Sequence, residues 1–294
     1  MKTVLSLLLA AGMLSAACIA NAYPTLAGPT GYGVLPTATT VYDGQLVVAG
    51  DYVAAKDFDY PPNGDGGFSS NFHMQDKGGV PLRALFGLTD GLEIGAGYDF
   101  HDATPYGEET DSANRWSVNA KYVLPFHFIG ASWGVGGQYA RTRLDGIPPD
   151  SDTVNDTQFY FAGTGTVFGG NASGLHLNVT GGINWTRQSS DVLGLNNNFR
   201  FYGGAQLFIT HDLSVAGDVQ TKRETMDTAD LYSVVGRYQL GKMLGVEAGW
   251  SNADYTLING GPTGRFFAGA EISFGGKYPT HTGTGSAETG PVGD

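Results

Sequence analysis

Leu82-Arg83-Ala84-Leu85-Phe86-Gly87-Leu88-Thr89-Asp90-Gly91-Leu92-Glu93-Ile94-Gly95-Ala96-Gly97-Tyr98-Asp99-Phe100 is the stretch whose reading decides the fold. Thr89-Asp90-Gly91 parts two runs and marks a tight turn, because Asp and Gly tolerate positive φ. After the turn Leu92, Ile94, Ala96, Tyr98 and Phe100 alternate with Glu93, Gly95, Gly97 and Asp99. Before it Leu82, Ala84, Phe86 and Leu88 share one face, with Arg83 and Gly87 on the other. A period of two means strands, so this is a β-hairpin. One face is apolar and aromatic; the other carries charge and glycine. The unit recurs to the end of the chain, which predicts a membrane barrel with lipid outside and a polar interior. A soluble sandwich does not need so many strands apolar on the same side.

Working outward, the same alternation predicts twelve strands between residues 43 and 274. Beside the hairpin they lie near 44–55, 115–124, 130–141, 157–168, 175–186, 199–209, 213–222, 231–240, 244–252 and 265–274. Short connections at 89–91, 124–130, 169–174, 210–212 and 241–242 separate longer polar ones at 57–77, 101–114, 142–156, 187–198, 223–230 and 253–264. Short–long alternation with an even strand count predicts an all-β, twelve-stranded, antiparallel, up-and-down transmembrane barrel with short periplasmic turns and longer extracellular loops. Tyr98, Trp116, Tyr139, Trp185 and Trp250 fall beside long loops and form the expected outer aromatic girdle.

The ends of the chain read differently. Met1-Lys2, an apolar run from Val4 to Ala17 and Ala20-Asn21-Ala22 predict a secretory signal over 1–22, cleaved after Ala22. That site outweighs a lipoprotein reading at Cys18, where Ser15 stands at the helper position; Cys18 is also the one cysteine, so no disulfide framework is expected. Residues 23–42 are rich in Pro, Gly and Thr without strand periodicity, and are a candidate plug for the barrel at 43–274. Residues 275–294 read as a disordered periplasmic tail. No later stretch approaches the ~20 apolar residues of a spanning helix. Export without such helices leaves a soluble protein or a closed barrel of the Gram-negative outer membrane. The formal charge is -12, and loss of Lys2 with the signal makes it -13, which argues against nucleic acid as a partner. Outer-membrane lipid, lipopolysaccharide and small solutes are the expected partners, with a monomer as the default.

The inward face predicts the site. Arg83, Arg115, Lys121, Arg200, Arg237 and Arg265 face Asp51, Glu93, Asp99, Asp218, Glu247 and Glu271 across the lumen. Arg83 is expected beside Asp51, Arg115 near Asp99, Lys121 near Glu93 and Arg237 opposite Glu247, since buried charges need partners. Twelve strands lie between the eight whose interior fills with side chains and the sixteen that leave a channel, so the bore should be narrow. Catalysis finds no support. His176-Leu177-Asn178 lacks a serine, His211 and Ser214 have the wrong spacing for one strand face, and Asp99, His101 and Asp102 make a lone group in an acidic rim. The expectation is no enzyme and no cofactor. Acidic loop clusters such as Asp150, Asp152 and Asp156 could hold Ca²⁺ or Mg²⁺, but their spacing fits no fixed calcium loop and a solvated rim is favoured.

Gly28-Pro29-Thr30-Gly31-Tyr32-Gly33-Val34-Leu35-Pro36-Thr37-Ala38, followed by Gly44 and a first strand, resembles the start of the YjbH-like outer-membrane proteins associated with exopolysaccharide production. Residues 43–274 resemble the small porin-like outer-membrane barrels of Gram-negative bacteria by pattern. These resemblances imply either a narrow channel for small solutes or ions, or a non-conducting structural or assembly barrel, for example accessory to exopolysaccharide export.

Overall fold

The computed structural model describes residues 24–26, 29–54, 56–60, 72–105, 111–145, 151–169, 175–190, 194–221, 230–241, 243–254 and 259–275. The expected signal and all of the tail beyond Gly275 lie outside the described residues. The strands are β1 (Gln45–Val53), β2 (Lys56–Tyr60), β3 (Phe72–Thr89), β4 (Leu92–Pro105), β5 (Asp111–Phe128), β6 (Ala131–Asp145) and β7 (Ser151–Gly169). They continue with β8 (His176–Ser190), β9 (Gly194–Phe208), β10 (Leu213–Gln220), β11 (Leu231–Leu240), β12 (Leu244–Asp254) and β13 (Asn259–Gly275). From β2 to β13 every strand pairs antiparallel with its sequence neighbour, and β1 closes the wall by pairing with both β13 and β3.

The thirteen segments make a twelve-stranded closed barrel, because β2 continues β1 along the upper part of β3. The first strand, expected to be unbroken over 44–55, is interrupted opposite an irregularity in β3. There the register shifts between Asp76 and Gly79, and Gly78 adopts φ 96°, a conformation that disfavours side chains.

Pairing also runs beyond the predicted bounds. Residues 57–60, 72–77, 101–105, 111–114, 142–145, 151–156, 187–190, 194–198 and 259–264 are strand where polar loops were expected. The apolar alternation stops where lipid stops, but backbone pairing needs only a neighbouring strand, so the wall continues into water. In consequence the girdle residues stand within strands, not at their ends. They pair across the wall: Trp116 on Tyr139 with ring centroids 5.4 Å apart, Phe159 on Trp185 at 5.7 Å and Tyr232 on Trp250 at 5.0 Å. Toward the short turns Trp133 stacks on Phe161 at 5.1 Å, and its indole N–H donates to the Phe128 carbonyl.

Between these aromatic levels the outer face is apolar: Val48, Leu82, Ile94, Val118, Val179, Ile183, Val215, Val234, Val246 and Ile272 are all exposed. Their neighbours in sequence are buried and mostly polar, for instance Glu93, Lys121, Asn178, Thr180 and Ser214. A fold with apolar residues outside and polar residues inside is stable only in a medium less polar than its own interior. No helix among the described residues is long and apolar enough to cross a membrane; the strands do so.

Candidate functional site

The bore is filled by the chain's own N-terminal segment. Residues 24–26 and 29–38 are buried, and they reach the inner face of nearly every strand. The segment enters beside the turn-side end of β3. Gly44 donates to the Gly87 carbonyl at 2.9 Å, and Gly87 leaves room for the Tyr42 backbone, which a side chain there would strike.

Further in, Ala38 N–H donates to Thr164 Oγ1 on β7 at 2.9 Å and lies against Gly134 of β6. Val41 N–H and Thr30 N–H each donate to Glu93 of β4 at 3.1 Å, and the Thr30 hydroxyl donates to the same carboxylate. Lys121 of β5 donates to the Thr30 carbonyl at 2.9 Å. Val34 and Leu35 N–H groups share one Asp218 oxygen on β10, each at 2.9 Å. The Arg237 guanidinium of β11 donates to the carbonyls of Gly31 and Tyr32, and that of Arg83 to the carbonyl of Leu26. Tyr32 places its hydroxyl beside Thr180 of β8 at 3.0 Å, and its ring occupies the space above Gly204.

The segment has too few internal partners for its own backbone: among the described residues it closes four backbone hydrogen bonds on itself, such as Leu26 N–H to Gly33 O at 3.0 Å. Buried backbone groups must be satisfied, and here the wall's charges do it. Apolar packing adds to this. Leu26, Tyr32, Val34, Leu35 and Ala38 form one cluster with Tyr160, Ala162, Tyr202, Ala216, Val235 and Phe267 of the wall. The barrel therefore has a core, supplied by a segment that is not part of the wall. The inward aromatic rings lie flat over glycines of adjacent strands: Tyr160 over Gly136, Tyr202 over Gly182, Phe267 over Gly249.

The structure places all twelve expected lumen residues on the bore side, ten of them buried and Glu247 and Glu271 half-buried. Lys121 lies 3.6 Å from Glu93, Arg115 3.2 Å from Asp99, and Arg237 2.8 Å from Glu247, all as expected. Arg83 acts on Asp51 through space, but its direct ion pair is with Asp99 and not with Asp51 as expected. The void at Gly97 explains it, since a β-carbon there would stand 3.1 Å from Arg83 Cδ; the guanidinium crosses that glycine to its partner. Asp51 turns the other way, into the space left by Gly269, toward Glu247.

Arg200 and Arg265 line the bore toward the loop end, where Arg200 donates to Thr186 at 2.9 Å. With Arg83 and Arg237 changed together to Gln, a conducting barrel should become more cation-preferring, because Glu247 and Asp51 would then face the bore without Arg237. An unchanged reversal potential in a salt gradient would mean that these side chains do not line the ion path.

The other candidates are placed as follows. Asp156 is not in a loop: it faces the bore from β7 and accepts hydrogen bonds from Gln158 and Gln188 at 3.5 and 3.3 Å. Asp150 and the side chain of Asp152 lie outside the described residues, and no group of three metal-ligating side chains occurs among the described ones. His176 stacks on Phe208 with centroids 4.1 Å apart, and Asp99 is engaged by two arginines. The side chains of His101 and Asp102 lie outside the described residues. Sequence reasoning missed Thr164, Thr180 and Ser233 as contacts of the N-terminal segment. Their signal was weak, since inward polar residues are what an open bore would also show.

The exposed apolar belt and the buried polar interior define a twelve-stranded closed barrel of the transmembrane kind. No protein-family model matches the chain, and no curated protein matches it. Among solved structures it is similar to an outer-membrane channel from Pseudomonas putida F1, with 13% identity over 83% of this chain and 98% of that one and a TM-score of 0.48. It is similar also to the KdgM porin, with 14% identity over 77% and 99% and a TM-score of 0.47. A third is the calcium-bound outer-membrane phospholipase dimer of Salmonella typhi, with 12% identity over 90% and 96% and a TM-score of 0.41. At such identities the likeness is one of fold alone. The resemblance of residues 28–38 to the YjbH-like proteins rests on those residues and nothing further.

Proposed function

We propose that the protein is a narrow outer-membrane channel for small polar solutes or ions, closed at rest by its own residues 24–42. The observation that carries the reading is how the segment is held. Its polar attachments converge on a few side chains on separate strands, Asp218, Glu93, Arg237 and Arg83, each holding one to three groups of the segment. The wall behind it is paired strand to strand around the full circle without help from the segment. A wall complete in itself and a filling hung on polar side chains make a removable stopper. The polar inner residues it covers are what a solute would meet once it left. The exposed apolar belt supports the outer membrane as the location, with lipid as the surroundings.

The test is single-channel recording from refolded protein. The wild type should open rarely. Asp218→Asn keeps the shape of the anchor but removes the charge from two hydrogen bonds, about 1.5 kcal/mol in all, so the open fraction should rise about tenfold. The barrel lacking residues 24–41 should conduct in steady steps with little ion selectivity. If that truncated barrel folds, by its heat-dependent gel migration, and stays silent, the second reading takes over: a non-conducting structural or assembly barrel whose filling only stiffens it. The number of hydrogen bonds that hold the segment favours that second reading to the extent that opening costs them.

A further inference from the structure

On the outer wall, just above the aromatic girdle on the loop side, three arginines come together. Arg141 and Arg143 stand on β6 and Arg187 on β8, all exposed, with β7 between them. Register fixes the arrangement: Arg141 is opposite Asn155, Arg143 opposite Thr153 and Arg187 opposite Thr157. Arg141 and Arg187 are thus two strand spacings apart and offset by two residues along β7, about 12 Å between their backbones. Between and below them Tyr139, Asn155, Thr157, Phe159, Trp185 and Ser189 line a shallow groove of about 450 Å³, in which the Tyr139 hydroxyl and Asn155 are hydrogen-bonded at 2.8 Å.

All three stand on the outward face of the wall, away from the bore and its ion pairs. The chain carries a net charge of -12 with 16 Lys and Arg in all, so three adjacent arginines on one outward face are a local reversal of its sign. Among the side chains that the structure describes, no carboxylate faces outward beside Arg141 and Arg187. Beside and below the arginines the wall is aromatic: Trp116 is opposite Arg141 and packs on Tyr139, and Phe159 stacks on Trp185. Cation above, hydroxyl and amide between, aromatic ring and aliphatic wall beneath is the polarity profile of an anionic amphiphile seen from the side. The guanidinium fork is matched to phosphate oxygens, and the rings sit where headgroup meets chain.

We propose that the outward face of β6–β8 is a binding site for the phosphorylated headgroup of an outer-leaflet glycolipid, with Arg141 and Arg187 gripping phosphate from either side of β7. Arg143 extends the site upward. Asn155 and Thr157 offer hydrogen bonds to the headgroup between them, and Phe159 and Trp185 take the start of the acyl chains. This inference rests on the outer-membrane location proposed above.

The test uses full-length protein in detergent, titrated with a phosphorylated lipopolysaccharide of short sugar core and, in parallel, with the same lipid after enzymatic dephosphorylation. Binding is read as the rise in melting temperature and as lipid retained on gel filtration. The wild type should bind the phosphorylated lipid at least about tenfold more tightly than the Arg141→Gln, Arg187→Gln double variant, since two charge-assisted contacts are lost. The dephosphorylated lipid should bind both proteins alike and weakly. Inorganic phosphate at millimolar concentration should not displace the lipid, because the apolar part holds it too.

Equal binding by wild type and variant, or no preference for the phosphorylated lipid, would overturn the site. Displacement by inorganic phosphate alone would reduce it to an anion patch and overturn the lipid assignment. Insertion into phosphatidylcholine vesicles is measured separately. A protein that inserts but shows no phosphate preference fails this inference alone, and one that does not insert fails the membrane reading.

Discussion

Glu93→Ala should destabilise the folded barrel by about 3–5 kcal/mol, the cost of leaving a buried charge without its partner. Glu93 is fully buried and accepts from Thr30 N–H, the Thr30 hydroxyl and Val41 N–H, with Lys121 3.6 Å away. Its loss strands the Lys121 ammonium, itself 1% exposed and still donating to the Thr30 carbonyl, without the carboxylate that balances its charge. Two backbone donors of the N-terminal segment lose their acceptor at the same time. Urea unfolding in vesicles measures the effect. Lys121→Met added to Glu93→Ala should recover part of the loss, because the stranded charge goes with it. If the double variant is no more stable than Glu93→Ala, the ion pair is not what makes the position costly.

The second large effect concerns the outer face. Val179→Arg, at mid-bilayer on β8, should cost about 2–4 kcal/mol, and Leu175→Arg, on the same side at the turn-side end, about 0–1 kcal/mol. Both residues are exposed on the apolar face, so the difference reads depth alone. Thr180, the inward neighbour, is no neutral control, since its hydroxyl bonds Thr164 at 2.8 Å and Tyr32 at 3.0 Å. Folding titrations in thin and thick bilayers would show the gap widening with thickness. Equal costs at residues 175 and 179 would remove the proposed membrane register.

The wall was legible in the sequence for a simple reason. Each strand has two faces in two solvents, so Val118 and Asn119, or Val179 and Thr180, had to alternate, and period two survives any detail of packing. What was not legible depends on shape. Nothing in the alternation says that Arg83 will lie across Gly97 to reach Asp99, because the choice between two carboxylates was made by a missing β-carbon. Strand length was underread because hydropathy ends at the lipid edge and hydrogen bonding does not. The N-terminal segment was recognised as non-periodic and as a candidate for the bore, but its grip was not foreseen. A clue was present in the inward side chains Tyr160, Tyr202 and Phe267: large rings on the lumen face need something apolar to meet, and Leu26, Val34 and Leu35 meet them.

The barrel is closed by pairing its first wall strand, β1, with its last, β13. Residues 42–45 lead directly from the filling into that first strand, so stopper and seam share one piece of chain. The bond between Arg237 and the Gly31 carbonyl joins residues 206 apart in sequence. Contacts of such separation are the slowest to form, because the loop they close costs entropy before any neighbour repays it. An assembling chain thus carries its stopper just ahead of a strand that waits for the last hairpin to arrive. Until then the buried charges of the wall have only water for company, and the segment that will satisfy them is tethered a few residues away. Closure of the circle and filling of its interior become one late event in the protein's biogenesis, and a chain that stalls before its final strand has neither.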